Sequence, residues 1–261
     1  MIAFFAPVPA AEGTDWLRLA LQIFRSQWRR FTALASLFLF LLLVAMLLSL
    51  LAGGIPFVIL LKPILSVGFL AATWHYERGE APEYSHLFAG FKSNVKALLA
   101  LGAVYVVCTI VISVLSRLLV GESWEQIVSA SSNPHPMTDE VRIRFIFVVL
   151  TLSLPLTAAL WFAPALIVFN DASFVQSLTL SLTACLRNWR AMLTYAVTMF
   201  FATVFTVAVC APFLFFIQPL APFVLMAVGI PLTAILMISD YVSYRRIFHR
   251  DERVEKVSGA Q

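Results

Sequence analysis

Lys62 is a single cation within a long apolar stretch, so its type and position suit the binding of an anionic group. At the centre of a membrane helix a lysine costs about 2.5–3.5 kcal/mol, while each leucine contributes about half a kcal/mol in favour of insertion. A span of roughly 20 apolar residues therefore tolerates it. Two interpretations stay open. The ammonium group snorkels to headgroups about 10 Å away, or it faces a cavity.

The segment from Trp74 to His86 is the second place where the residue types suit chemistry, because it contains two histidines and three glutamates. A metal site or an acid–base pair would use such residues. However, the spacing does not match helical zinc motifs such as H-E-x-x-H. Cys108, Cys185 and Cys210 show no paired spacing and are typical of small apolar residues. We therefore predict no catalytic residue, no metal site and no cofactor.

The composition sets the class of protein that positions these residues. Of the 261 residues, 61% are hydrophobic and 12% are charged, whereas soluble domains are about 45–50% apolar and about 25% charged. These values exclude a disordered chain, a disulfide scaffold, a nucleic-acid-binding domain and almost any soluble enzyme. They predict an all-α membrane protein that spans the bilayer several times.

Six long uncharged or nearly uncharged runs predict six transmembrane helices in one integral membrane domain, 1–261. They pair into hairpin 1 (31–76), hairpin 2 (96–169, with an outside loop at 120–140) and hairpin 3 (189–247), followed by a charged tail at 248–261. The predicted spans are 31–52, 55–76, 96–119, 141–169, 191–216 and 220–246.

The even-numbered spans each contain a proline: Pro63, Pro164 and Pro231. Neighbouring helices or Ser and Thr side chains can satisfy the carbonyl groups that such prolines free. Two interpretations stay open for them. They are packing kinks, or they are hinges of broken helices that line a transport pathway, as in transporters.

The basic residues predict the orientation in the membrane. Fourteen Lys and Arg residues lie on the side of the two termini, and three lie on the other side. An excess of Lys and Arg marks the cytoplasmic face. We therefore expect both termini in the cytoplasm of a bacterium and the protein in its inner membrane. No acidic residue lies deep in a predicted span, which argues against a proton- or cation-coupled pump.

A short motif of an amide, a bulky apolar residue and a base recurs before each odd-numbered span. Amphipathic stretches at 14–30, 84–95 and 172–188 contain or precede it and predict three cytoplasmic helices in the headgroup plane. This pattern is typical of a threefold internal repeat, although the positive-inside bias alone also places bases at such borders. The predicted interfacial anchors are Trp16, Trp28, Arg29, Asn94, Lys96, Asn188, Trp189 and Arg190.

Several apolar motifs resemble those of an uncharacterised family of six-span proteobacterial inner-membrane proteins. They are Leu87-Phe88-Ala89-Gly90-Phe91, the run 98–103 with Tyr105, the block from Trp16 to Trp28 and the stretch from Pro63 to Gly68. More distantly, the layout is similar to the membrane domain found beside some glycerophosphodiester phosphodiesterases. The resemblance carries over no catalytic residue, and Lys62 departs from the apolar residue expected there.

These features together predict a non-enzymatic integral membrane protein that acts as a binding, scaffold or partner subunit of the cell envelope. Membrane lipids are the expected partners, with another membrane protein or a second copy of the chain as further ones, and nucleic acid is excluded. A transporter or channel for a small or lipidic solute is the alternative. Lys62, Pro63, Pro164 and Pro231 are the candidate functional residues for it.

Overall fold

The computed structural model describes residues 7–54, 56–120, 139–216, 219 and 221–249. Most of the predicted outside loop and of the charged tail lie outside these residues. Within them the chain forms nine α-helices and one 3₁₀ helix, η1. Their bounds are α1 Glu12–Ser26, α2 Trp28–Leu51, α3 Phe57–Glu77, η1 Tyr84–Lys92, α4 Val95–Val120, α5 Asp139–Trp161, α6 Ala163–Phe169, α7 Phe174–Arg187, α8 Trp189–Phe216 and α9 Ala221–Phe248.

The prediction of an all-helical protein with six membrane-capable helices is confirmed. The helices α2, α3, α4, α8 and α9, and the continuous pair α5–α6, are long and apolar enough to cross a membrane. Their continuous apolar side chains suit the hydrocarbon core of a membrane. The helical conformation suits it too, because a backbone without water must satisfy its polar groups within the helix. The predicted bounds agree with the observed ones to within a few residues.

The fourth span differs from a single straight helix, because α5 ends at Trp161 and α6 begins at Ala163. Pro164 lies in the first turn of α6. Because proline has no backbone N–H, it cannot donate the hydrogen bond that would continue α5 into α6. Phe162 at the break donates its N–H to the Ser181 hydroxyl at 3.0 Å. Ser181 in turn donates to the Ala158 carbonyl at 2.7 Å. A serine hydroxyl of α7 therefore bridges the kink and satisfies both backbone groups.

The short helices pack against the spans. α1 lies on α8 and α9, η1 lies on α3, and α7 lies on α5 and α6. The contact between η1 and α3 is close at Gly68, where an added Cβ would lie 2.0 Å from the Leu87 carbonyl oxygen. Only glycine permits this approach of the two backbones. The apolar faces of these helices thus rest largely on protein.

Both ends of the described chain lie at the same end of the bundle, which we call the termini end. Arg246 of α9 forms an ion pair with Glu12 of α1 at 3.2 Å. The backbone N–H of Val8 donates to the Asn188 side chain at 2.8 Å. The ion pair joins the first and last helices, and the hydrogen bond joins the segment before α1 to the start of α8.

The buried core is concentrated toward the termini end. The buried apolar residues of α9 all lie between Ala234 and Phe248, and four of the five in α2 lie between Phe31 and Phe38. None of the residues of α5 is buried. In the opposite half of the bundle, large side chains such as Leu51, Phe205 and Phe223 are more than two-thirds exposed. That half presents its apolar surface to the surrounding medium.

Candidate functional site

The even-numbered spans meet in a polar cluster at the termini end, which we call the end cluster. It comprises Glu77 of α3, Asn170 after α6, and Tyr241, Tyr244 and Arg245 of α9. Tyr241 donates to the Glu77 carboxylate at 2.8 Å, and Arg245 pairs with the same oxygen. Tyr244 donates to the Asn170 side chain. Charge-assisted bonds between partly buried groups are stronger than neutral ones, so this cluster fixes the ends of three spans.

A cavity of about 220 Å³ lies beside the end cluster. Trp74 and Phe169 form an aromatic wall, and Arg78 and His249 add polar groups. The Arg78 guanidinium lies over the Trp74 ring, 3.4 Å from its centroid. His249 Nε2 is 3.0 Å from the Tyr244 hydroxyl. Two arginines and one glutamate line this cavity, which therefore suits a small anionic group more than a cation.

A larger cavity of about 580 Å³, which we call the basic groove, lies between the start of α2 and the segment 81–85. Arg29 and Arg30 line it with the apolar side chains of Ala33 and Leu34, and one carboxylate, Glu83, lines it from the segment 81–85. Tyr84, which is 57% exposed, closes its other side. Arginine binds phosphate through a planar fork of N–H donors. Two guanidinium groups beside an apolar wall are the chemistry that recognises an anionic phospholipid.

The predicted anchors before the first and fifth spans have the same geometry. Trp28 and Trp189 are 53% and 55% exposed. Arg29 lies 5.4 Å from the Trp28 ring centroid, and Arg190 lies 5.5 Å from that of Trp189. A cation over an exposed indole is typical of the membrane–water boundary.

The amides of the motif occupy the junctions between short helices and spans. Asn94 accepts the backbone N–H of Ala97 at 3.2 Å through its side chain and so caps α4. Asn188 is 2% exposed and donates to the Ala184 carbonyl at 3.0 Å while it accepts from Val8. Lys96 is exposed beside the second junction.

Trp16 is buried inside the protein. Its side chain is fully buried and its ring centroid is 5.8 Å from that of Tyr195 on α8. The amphipathic pattern of α1 identifies this face, but periodicity does not show whether lipid or protein covers it. In this fold, α8 and α9 cover it.

Lys62 is exposed on α3, one residue before Pro63. Asp240 of α9 is a second ionisable residue within a span. The sequence places Asp240 near the exit of the sixth span, but α9 continues for eight residues to Phe248. Asp240 therefore lies about 12 Å inside the helix end at 1.5 Å per residue, and a carboxyl group is present within a span after all. Pro231 lies inside the same helix, two and a half turns earlier.

The histidines of the segment after α3 form a stacked pair. The rings of His75 and His86 are 4.2 Å apart and nearly parallel. His75 Nδ1 is 2.5 Å from the Glu80 carboxylate, and His86 Nδ1 accepts the backbone N–H of Glu83 at 3.1 Å. Burial and the neighbouring His75 lower the pKa of His86, against the smaller opposite effect of Glu83 and Glu80. Among the described residues, no group of three potential metal ligands is found.

A third cavity, which we call the hydroxyl cleft, was not anticipated from the sequence. It has a volume of about 230 Å³, lies between α4 and α5, and is lined by six hydroxyl side chains: Tyr105, Thr109, Ser113, Ser116, Ser153 and Thr157. The spacing of these residues shows that the hydroxyl groups share helix faces. Thr109, Ser113 and Ser116 lie on one face of α4, and Ser153 and Thr157 lie on one face of α5. Which two faces meet depends on how the helices pack, and spacing alone does not show that.

The six apolar helices decide the structural class. The protein is a helical membrane protein whose described residues form six membrane-capable helices. It is similar to a probable inner membrane protein of Burkholderia thailandensis, with 28% identity over 254 residues that cover 92% of this chain and 92% of the relative. No known family profile matches the chain, and no solved structure matches it. The likeness to the membrane domain beside glycerophosphodiester phosphodiesterases stays a prediction.

Proposed function

We propose that the protein is a non-enzymatic integral inner-membrane protein, with both termini in the cytoplasm, that binds anionic phospholipid at the cytoplasmic surface as an envelope-associated scaffold. The basic groove carries this proposal. It places Arg29 and Arg30 beside the apolar side chains of Ala33 and Leu34, and these two cations outnumber the one lining carboxylate, Glu83. A phosphate and the first carbons of a lipid tail need this combination of groups.

The distribution of charge supports the orientation. The predicted spans put fourteen of the eighteen Lys and Arg residues on the side of the termini, and cytoplasmic faces carry this excess. The similarity to a probable inner membrane protein along nearly the whole chain agrees with that location. The ion pairs and hydrogen bonds of the end cluster join helices to each other, which suits a scaffold whose spans hold fixed positions.

Lipid analysis of the purified protein tests the proposal. The variant Arg29→Gln/Arg30→Gln removes both guanidinium groups from the basic groove. The control Arg18→Gln/Arg25→Gln removes two charges from α1, also at the termini end. We expect the phosphatidylglycerol retained per protein to fall severalfold in the first variant and to stay near the wild-type value in the control. Equal retention in all three proteins contradicts the proposal.

Transport of a small or lipidic solute is the second candidate function, and two ionisable residues within spans, Lys62 and Asp240, favour it. Lys62 lies in α3 and Asp240 in α9, and Lys62 is exposed. Charged residues inside membrane spans often mark substrate pathways. A cysteine at position 62, in a chain without its native cysteines, tests this candidate. Labelling by a charged thiol reagent supports a pathway, and full protection contradicts it.

A further inference from the structure

The hydroxyl cleft runs along the half of the bundle that lies away from the termini. Ser116 is four residues from the end of α4 at Val120, or about 6 Å, and Tyr105 is about 22 Å from that end, at 1.5 Å per residue. Ile112, Val149 and Leu156 lie between the hydroxyl groups. The cleft is therefore a narrow polar strip with apolar side chains, within the membrane and open toward the lipid.

Ser116 indicates that this cleft holds a ligand. Its side chain is 1% exposed, and its hydroxyl group has no hydrogen-bond partner among the described residues. Buried hydroxyl groups are nearly always bonded, because leaving one unpaired destabilises the fold. Since this hydroxyl lines the cleft, an acceptor atom of a bound molecule would complete it.

The remaining lining groups define the chemistry of that molecule. Thr109, Ser113 and Thr157 already donate to carbonyl groups of their own helices at 2.7–2.9 Å. The hydroxyl groups of Tyr105, Ser116 and Ser153, which have no hydrogen-bond partner among the described residues, are the ones that can donate to acceptor atoms of a ligand. No residue that lines the cleft is charged. The bound part is therefore neutral and contains carbonyl or ether oxygens together with apolar carbon.

Charge at the mouth of the cleft extends this description. Arg117 follows Ser116 in α4, and Arg144 precedes Phe145, another lining residue of α5. Arg144 donates to the Leu119 carbonyl at 2.9 Å, which holds its guanidinium group at the junction of the two helices. Two cations next to a neutral polar strip match a phosphate group followed by a glycerol ester.

We infer that the hydroxyl cleft binds the glycerol–ester region of a phospholipid, with the phosphate at Arg117 and Arg144 and the acyl chains along Ile112, Val149 and Leu156. A second copy of the chain would bring like charges together at the mouth of the cleft. This site lies in the leaflet opposite the basic groove, so it goes beyond the proposed function.

Native mass spectrometry with dioleoyl phosphatidylglycerol and its diether analogue tests the inference. The diether lipid lacks the ester carbonyl groups that Ser116 would donate to. We expect the wild type to bind the diester about fivefold more tightly, which corresponds to the loss of one hydrogen bond. The variant Ser116→Ala/Ser153→Ala should lose this preference. The control Thr198→Val/Thr206→Val, on α8, should keep it.

Folding and the basic groove are separated from the cleft in the same experiment. Removal of the unpaired Ser116 hydroxyl should leave the melting temperature in lipid-free detergent unchanged or higher, so weaker binding would not reflect unfolding. The variant Arg29→Gln/Arg30→Gln should keep the preference for the diester even if it loses lipid at the groove. Equal binding of the two lipids by the wild type, or an unchanged preference in the serine variant, overturns the inference.

Discussion

Ser181 shows how one side chain stabilises a broken span. Its hydroxyl bonds both Phe162 and Ala158 across the kink, and it is fully buried. Ser177, one turn earlier on α7, is equally buried but bonds only the Phe174 carbonyl of its own helix. Ser177 is therefore a suitable control for Ser181, because it is equally buried but its hydroxyl group bonds its own helix instead of the kinked backbone.

The variant Ser181→Ala leaves the Phe162 N–H and the Ala158 carbonyl without the hydroxyl that satisfies them. We expect a loss of about 1–3 kcal/mol in the free energy of unfolding, and less than about 1 kcal/mol for Ser177→Ala. Denaturant titration in detergent measures both. Equal losses would show that the hydroxyl does not support the kink.

His86 predicts a dependence of stability on pH. Its pKa is lowered from the usual 6.5, mainly by burial and then by His75, so the folded protein favours the neutral ring. Just below pH 6.5 the His86 ring binds a proton in the unfolded chain but not yet in the folded chain. Stability is therefore highest above pH 6.5 and falls as the pH decreases through the lowered pKa.

Melting temperatures between pH 8 and pH 5 test this prediction. The wild type should lose stability relative to His86→Gln as the pH falls below 6.5, because the variant cannot bind the proton. The charged neighbours Glu80 and Glu83 and the ring of His75 remain in both proteins. A constant difference between the two proteins over this range would contradict the prediction.

The junctions between short helices and spans were predictable at the scale of elements. The spans α2, α4 and α8 begin at Trp28, Val95 and Trp189, directly after the amides Gln27, Asn94 and Asn188. Local sequence determines such borders, because caps and breaks act within one turn. The correspondence supports the interpretation of a threefold repeat, which stays a prediction.

The partner of each amphipathic face was not predictable. The pattern of α7 predicts an apolar stripe of Phe174, Leu178, Leu182 and Cys185. Of these only Cys185 is buried, together with Ser177, Ser181 and Ala184. These small residues permit the close approach of helices that membrane proteins favour. Burial raises the pKa of the Cys185 thiol to about 12, in agreement with a packing role.

Two glycines test the close packing of η1 on α3. In Gly68→Ala the new methyl group would meet the Leu87 backbone, whereas a Cβ at Gly229 of α9 would meet no atom within 4 Å. We expect Gly68→Ala to lower the melting temperature strongly. Gly229→Ala should be neutral or stabilise the protein by about 0.5–1 kcal/mol. If both variants melt like the wild type, η1 does not lie against α3 as described.

At the scale of the whole molecule, the sequence predicts the six spans but not where the bundle is tight. Apolar residues are spread along all spans, so composition does not distinguish the dense core at the termini end from the open opposite half. That asymmetry follows from which polar side chains meet. Glu77, Tyr241 and Arg245 are far apart in sequence and bond only after the spans have packed.

The orientation is a prediction about the whole molecule. Green fluorescent protein fused after Gln261 should fluoresce, because the C-terminus is expected in the cytoplasm, and alkaline phosphatase at the same position should be inactive. Insertions near residue 130 should give the reverse pattern. Active phosphatase at the C-terminus would contradict the assignment from basic residues.

Photo-crosslinking at the basic groove tests the central claim, that this surface binds anionic phospholipid. A benzophenone amino acid in place of Ala33, which lines the groove, is activated in native membranes, and the attached molecule is identified by mass spectrometry. We expect phosphatidylglycerol to be enriched several times above its share of the bilayer, and this enrichment to disappear in Arg29→Gln/Arg30→Gln. Attached lipid with the composition of the bulk bilayer, or a crosslinked protein in its place, would contradict the claim.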